Sequence, residues 1–492
     1  NDIMILSWVP FNMQAERDTT DYFVPAHLYP EWTAKYIDSE GHKTAEQLGV
    51  TSMCMLSTPY REKNADFVDE ILGLGFDGIW FDGFMSYGMP GVAVSCVCQH
   101  CAEQFKTDRG MPLPERIDWS DPIFLQYVSW RYDKLIASGE YMLGRIEATK
   151  PDAAVQFNTH TFPNSRFDWR WAVPLRKTRL GSSQHTGLGP TNGIQQHPLV
   201  SKVAHAQNPD LADVWQPIYA TREVPENWIP DQPPNQMTMR LSALSAITQG
   251  VFPWYGGSET HINIFKEINE EVQLRQPVFS GKDVQYIGVV MSDRTKDFYD
   301  NRSDNPHRET YRDNIWGIDS MLAQHQLLNT IIFDEHLEKG DLDDFKIIVL
   351  SNTACLSQHS IDNLTDWVSR GGILIATFET SLYDEWGGKK QDFGLAHLFG
   401  THYLDTNEDT PESVLKGSGD PMINPPGAGQ DVVPPEEAMA SWRHEMAAGS
   451  LQLLDPSLNE GQPNASFYGA YVRFEVKNDE VEIIARSMPI SG

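Results

Sequence analysis

Three of the five cysteines stand in Cys96-Val97-Cys98-Gln99-His100-Cys101, and a fourth, Cys54, lies upstream. Thiolates at about 2.3 Å from one zinc ion must converge from a turn, and short spacing allows that. The fourth ligand is open between Cys54 and His100. A closed set of four is structural, because a catalytic zinc keeps one position free. Unrelated buried thiols or a disulfide are the alternative. Retained thiolates suit a reducing compartment, so the cytoplasm is the expected location.

The second chemical signal is a carboxylate at a strand end. Phe76-Asp77-Gly78-Ile79-Trp80-Phe81-Asp82-Gly83-Phe84 reads as an apolar strand closed by Asp82, with Gly83 letting the chain turn. A carboxylate at the C-terminal end of a barrel strand is placed to act as nucleophile or acid/base. Trp80 stands two residues earlier, on the same strand face. The plainer role for Asp82 is to cap the next segment. Other strand ends are also polar: Asn158, Thr159 and His160; Gln184 and His185; Arg222, Glu223 and Glu226 with Trp228 nearby; and Trp254, Tyr255 and Glu259. Aromatic rings that stack on a sugar, beside amides and carboxylates that bind its hydroxyls, make a carbohydrate site.

The elements that must position these residues follow from periodicity. Candidate strands are 3–9, 76–82, 153–158, 179–183, 213–218 and 250–254. Helix-like stretches lie between them, notably 64–74 and Pro122–Thr149, the latter with Asp121 as N-cap and Pro122 at the first helical position. Strand–helix alternation to about residue 280 predicts a parallel (β/α)8 TIM barrel of which six strands are visible. From residue 281 to 492 the pattern changes to a doubly wound α/β domain. It shows strands at 284–292, 329–333, 345–351 and 373–378, and helices at 314–327 and 357–370, the last ended by Gly371-Gly372. No Gly-x-Gly-x-x-Gly occurs, so a dinucleotide site is unsupported. The stretch 407–462 is rich in Pro, Gly, Asp and Asn and reads as a long insertion, and 468–476 with 480–485 reads as a closing hairpin.

Composition bounds the partners. The 492 residues carry 38 Lys+Arg against 68 Asp+Glu, a net charge of −30. Nucleic-acid binders concentrate Lys and Arg, and anionic lipid attracts basic segments, so neither nucleic acid nor membrane is an expected partner. No run approaches the roughly 18 apolar residues of a membrane span. A neutral or cationic ligand fits better than a polyanionic one, and a neutral oligosaccharide or other glycoside substrate is compatible with that.

On these residues the chain resembles a group of glycosyl hydrolases related to glycoside hydrolase family 42 β-galactosidases and to the α-L-fucosidases. The matching pieces are Tyr29-Pro30-Glu31-Trp32, Ser57-Thr58-Pro59-Tyr60-Arg61-Glu62, Asp77-Gly78-Ile79-Trp80-Phe81-Asp82-Gly83 and Cys96-x-Cys98-x-x-Cys101. The family's four-cysteine zinc site has one Cys upstream of a Cys-x-Cys-x-x-Cys, which implies Cys54, Cys96, Cys98 and Cys101 as ligands here. The strand-end chemistry and these motifs together make Tyr60, Arg61, Trp80, Asn158, His160, Gln184, His185, Trp228 and Trp254 candidate substrate-binding positions. The resemblance implies Asp82 as the nucleophile of a retaining, exo-acting fucosidase or galactosidase. The acid/base is open among Glu223, Glu259 and His160, because Gln184 stands where related barrels carry a Glu, and a Gln exchanges no proton at neutral pH. The strand at 3–9 resembles the third strand of the family barrel, which implies two strands upstream of Asn1. The second region resembles the family's trimerisation domain, an amidotransferase-like fold. The pieces are 345–351, Trp367-Val368-Ser369-Arg370-Gly371-Gly372 and Gly394-Leu395-Ala396-His397-Leu398-Phe399-Gly400. It implies a homo-oligomer, by analogy a trimer, without amidotransferase chemistry, since Cys355 lacks flanking glycines.

Overall fold

In the computed structural model the described residues are 5–10, 13–14, 28–37, 40–41, 43–44, 46–47, 50–82, 96–159, 181–183, 196–207, 214–219, 236–256, 262–279, 284–302, 305, 311–407, 447–453, 464–468, 471–476 and 485–488. They form two compact units: Asn1–Asp334 with Asp344–Val349, and Glu335–Asp343 with Leu350–Gly492.

The first unit is built on a six-stranded sheet of β1 (Leu6–Pro10), β2 (Gly78–Asp82), β3 (Ala154–Thr159), β4 (Gly181–Ser183), β5 (Val214–Tyr219) and β6 (Val251–Gly256). Their order in the sheet is their order in the chain. Every neighbouring pair is parallel, with Leu6 opposite Gly78, Gly78 opposite Ala154, Asn158 opposite Ser182, and Val214 between Gly181 and Val251. All six expected strands are present, shifted by a few residues at their starts. Unbroken sequential order distinguishes this wall from a doubly wound sheet, whose order reverses.

Parallel neighbours need a crossover, and among the described residues helices lie in four of the five connections. Between β1 and β2 runs α1 (Thr58–Gly73), with Pro59 in its first turn and Ala65, Val68, Ile71 and Leu72 buried. It starts earlier than the expected 64–74, because Pro is tolerated in a first helical turn. Between β2 and β3 come α2 (Gln99–Arg109) and the 28-residue α3 (Pro122–Thr149). The Asp121 side chain accepts from the Ile123 N–H at 2.9 Å and caps α3. The guanidinium of Arg145 on α3 reaches Asp69 at 2.6 Å and Asp66 at 2.9 Å on α1. Phe81 and Phe157 stack at 5.0 Å and are buried, as are Val9, Ile79 and Val155. Alternation along β2 leaves Trp80, which is half-buried, on the opposite face. Next come α4 (Gln196–Gln207), α5 (Gln236–Ile247) and α6 (Ile262–Phe279).

The first unit runs past residue 280 because one core is shared. Leu199 and Val203 of α4 pack with Val289 and Met291 of β7 (Ile287–Met291), Ile315 of α7 (Tyr311–Gln324) and Ile331 of β8 (Asn329–Phe333). The five residues of β7 are all buried, as expected of a central parallel strand covered on both faces. Its neighbours are β8 and β9 (Ile347–Ser351), both parallel to it, in the order β8-β7-β9, while β10 (Ile373–Thr377) belongs to the second unit. That reversal is doubly wound topology.

In the second unit α8 (Gln358–Ser369) is capped by Ser357, whose hydroxyl accepts from the Ser360 N–H at 3.1 Å. It ends at Gly371, whose φ of 99° is the left-handed region that glycine enters freely. Of the expected closing hairpin, 468–476 with 480–485, residues 480–484 lie outside the described residues. Strand β14 (Tyr471–Val476) pairs antiparallel with β11 (Thr401–Asn407), and β15 (Ala485–Met488) pairs with β12 (Ala447–Leu453). The last two strands therefore have other partners than each other. β12 lies inside the expected insertion, and its other neighbour is β13 (Asn464–Tyr468). Among the described residues no helix is long and apolar enough to cross a membrane.

Gly78 is where the wall is most intolerant. A Cβ added there would meet the Ala154 carbonyl oxygen at 2.0 Å, so β2 and β3 would have to part. Gly78→Ala is expected to lower stability by about 1–3 kcal/mol. The urea midpoint measures it, and a midpoint equal to that of the parent protein would refute this.

Candidate functional site

Because the six strands are parallel, their C-terminal ends lie along one edge of the sheet. Asp82 closes β2 opposite Pro10, Asn158 and Thr159 close β3, Ser183 closes β4, and Trp254 stands near the end of β6. One step back, Trp80 is in register with Gln156, a polar side chain that is buried. The sheet thus brings Asp82, Asn158 and Trp254 to one rim. His160 directly follows β3, Gln184 and His185 follow β4, Glu223 and Trp228 follow β5, and Glu259 follows β6. These six lie outside the described residues. Tyr60 and Arg61 sit instead on the first turn of α1. Tyr60 is buried against Met53, Tyr29 and Trp32, and the Arg61 guanidinium lies over the Tyr141 ring at 4.4 Å. Both side chains are taken up by packing between crossover elements.

The cysteine cluster is assembled from two successive crossovers. Cys54 follows the short strand Val50–Ser52, and its N–H donates to the Trp32 carbonyl at 2.7 Å. Val97 N–H donates to the Lys35 carbonyl at 2.7 Å, which fixes the Cys96–Cys98 turn on the same segment. Cys98 is the N-cap residue of α2, and Cys101 lies in its first turn. The four sulfurs all lie within 4.8 Å of one another, and all four residues are buried and free of disulfides. Cys54 Sγ is 3.6 Å from Cys101 Sγ, and Cys98 Sγ is 3.7 Å from it. Four sulfurs about 2.3 Å from a central zinc would be about 3.8 Å apart along each tetrahedral edge. A disulfide brings its sulfurs to about 2.05 Å. The spacing fits a tetrahedral ion and not a bridge. His100 turns away, its Nε2 lying 3.2 Å from the Glu31 carbonyl oxygen.

Helix α3 closes the cluster from one side. The Tyr127 hydroxyl accepts from the Cys96 N–H at 2.6 Å and donates to the Cys96 carbonyl at 2.9 Å. One turn on, Arg131 Nη1 donates to Cys101 Sγ at 3.4 Å. Phe105 of α2 packs edge-on to Tyr127 and Trp130 at 5.9 and 5.1 Å. Burial pushes the Tyr127 phenol well up, so it stays neutral and can serve as both donor and acceptor. Without a metal the thiols divide two and two. Cys96 and Cys98 are held down, first by hydrogen bonding from Cys101 and then from Cys54. Burial raises Cys101, and its neighbouring thiols raise it further. For Cys54, the Cys101 hydrogen bond works downward, but Cys96, Cys98 and burial outweigh it. Sequence patterning alone misses Tyr127 and Arg131. The available signal is their spacing of four on a helix of well-marked start, which puts both on the face of Phe124.

No protein-family model matches the sequence, and no curated protein sequence matches it. Its fold has close counterparts among solved structures. The β-galactosidase from Bacillus circulans sp. alkalophilus superposes with a TM-score of 0.64 at 15% identity, over 94% of this chain and 70% of that one. The polyextremophilic β-galactosidase from the Antarctic haloarchaeon Halorubrum lacusprofundi gives 0.65 at 14% identity, over 95% and 72%. A glycoside hydrolase family 42 exo-carrageenase from Bacteroides ovatus gives 0.53 at 12% identity, over 74% and 57%. The chain shares their fold. At such identities the likeness reaches the fold and stops there.

Tyr127→Phe removes the partner of two buried backbone groups of Cys96. It is expected to cost about 1–3 kcal/mol, read from urea unfolding with the phenyl packing retained. An unchanged midpoint would show that Cys96 has alternative partners.

Proposed function

We propose that the protein is a glycoside hydrolase whose active site lies on the C-terminal rim of the six-stranded sheet, with Asp82 as nucleophile. The observation that carries this is the position of Asp82 as the last residue of β2, on the edge where all six parallel strands end. In closed (β/α)8 walls, active sites lie on that edge, and we read the six strands as part of such a barrel. The shared fold of enzymes named β-galactosidases and an exo-carrageenase supports a sugar substrate. A terminal galactosyl or fucosyl residue is the substrate class we favour, removed in exo fashion from an oligosaccharide. Following the sequence resemblance, we read the second region as an assembly domain and the protein as a trimer.

The chemistry needs two carboxyl groups. The Asp82 carboxylate attacks the anomeric carbon while an acid protonates the departing glycosidic oxygen. The resulting glycosyl ester is then opened by water, deprotonated by the same group. Glu223 and Glu259 are the candidates for that second group, with His160 as the other proton carrier. Retention calls for carboxyl groups about 5–5.5 Å apart. Asn158 and Trp254 on the rim, with His160, Gln184, His185 and Trp228 beyond it, would bind the sugar. Trp80 would support the floor beneath Asp82.

Asp82→Asn is expected to lower hydrolysis of aryl galactosides and fucosides by more than about 10⁴-fold with folding unchanged. Glu223→Gln or Glu259→Gln, whichever is the acid/base, should cost about 10²–10⁴-fold. Hydrolysis undiminished in Asp82→Asn would end the assignment. Gln184 favours a second reading, a sugar-binding protein without turnover. Calorimetric binding of galactose or fucose with no cleavage across the glycoside panel would select it.

The four-cysteine cluster is, in our reading, a structural zinc centre. Cys54, Cys96, Cys98 and Cys101 would hold the ion through four thiolates, and such a closed set would leave no position for chemistry. Its role is to tie the Cys54 segment to the start of α2. Metal analysis should find one zinc per chain, and chelation should lower the melting temperature, since binding free energy of this kind is folding free energy. A metal-free protein of unchanged melting temperature would refute it.

A further inference from the structure

We propose that Arg131 is the internal counter-charge of the four-cysteine centre and sets how tightly that centre holds its ion; this rests on the zinc reading above. Arg131 is 3% exposed, in the middle of α3. Among the described residues its one hydrogen bond is that from Nη1 to Cys101 Sγ, and no carboxylate pairs with it. Its Nε is buried without a partner. A guanidinium taken out of water needs an anion beside it. Four thiolates around one zinc carry a net charge of −2, so the centre is the anion that Arg131 faces. The guanidinium brings the local charge to −1.

The same geometry makes Arg131 a positioning residue. Its N–H directs one sulfur lone pair of Cys101, leaving another to the ion. Outer partners of this kind change metal affinity about 10–100-fold. Arg131 also stands between two fixed neighbours on α3. Trp130 donates from Nε1 to Asp108 at 2.7 Å, and the Tyr132 hydroxyl donates to Asp297 at 2.8 Å. The guanidinium is therefore delivered to the cluster by a helix anchored on both sides of it.

The test loads the parent chain, Arg131→Met, Arg131→Lys and Cys101→Ser with zinc. It then measures zinc per chain and the rate of transfer to excess EDTA. Cobalt-loaded samples report the number of thiolate ligands through sulfur-to-cobalt absorption. Arg131→Met keeps bulk and loses charge, so it should release zinc about 10–100-fold faster than the parent. Arg131→Lys keeps the charge and should lie near the parent. Release from Arg131→Met at the parental rate overturns the proposal. Where Arg131→Met does not fold, Arg131→Lys decides: release as fast as from Cys101→Ser overturns the charge assignment, and release near the parental rate supports it. A parent chain that takes up neither zinc nor cobalt overturns the metal reading itself, which is a distinguishable result.

Discussion

Parallel pairing of six consecutive strands is the constraint from which the first unit follows. Strands that pair in parallel cannot be joined by tight turns, so every connection must travel back over the sheet. Each strand then ends on the same rim, and each crossover begins there. Asp82 is on that rim because β2 is parallel to both β1 and β3. The close approach of β2 to β3 at Gly78 shows how tightly that pairing is enforced. The covered face accounts for the buried run Val9, Ile79, Phe81, Val155 and Phe157, onto which α1 and α3 can fold.

The cysteine cluster solves a problem that such connections create. Crossovers on either side of β2 are long, and the loop ordering they need is costly in chain entropy. Cys54 belongs to the crossover before β2, and Cys96, Cys98 and Cys101 belong to the crossover after it. Joining them fixes both connections relative to each other, and so brackets the strand that carries Asp82. Tyr127 and Arg131 extend this fixation to α3, whose hydrogen bonds with Asp69 and Asp297 reach α1 and the π-helical turn at Lys296–Asp300.

Periodicity and chain punctuation made the strands legible. Short apolar runs marked all six strands of the sheet, and Asp121-Pro122 marked the start of α3. Ser357 and Gly371-Gly372 likewise bounded α8 because capping is a local, side-chain-driven event. The closing strands were different. Residues 468–476 and 480–485 read as a hairpin by proximity, yet the described strands 471–476 and 485–488 each pair with a distant strand. Strand pairing is decided by tertiary packing, which a local pattern does not carry. At the candidate site, short spacing exposed the cysteines. Tyr60 looked like a sugar contact only through its motif, and its burial against Met53 and Trp32 depends on how α1 docks, which no spacing encodes.

Charge closes the argument about the cluster. The chain has 68 acidic residues against 38 basic ones, so a carboxylate is the readiest partner for any buried cation. The interior follows that rule elsewhere: Lys296 is paired with Asp300 at 2.5 Å, and Lys202 with Asp319 at 2.6 Å. Arg131 departs from it, since the group it faces is sulfur. A pair of disulfides would leave that guanidinium buried beside neutral atoms, at a cost of several kcal/mol. Thiolates gathered around a divalent ion, as we propose, would remove that cost, because their summed charge stays negative. Sulfur spacing and the buried Arg131 are independent features, one set by covalent geometry and the other by desolvation, and both support the tetrathiolate centre we propose.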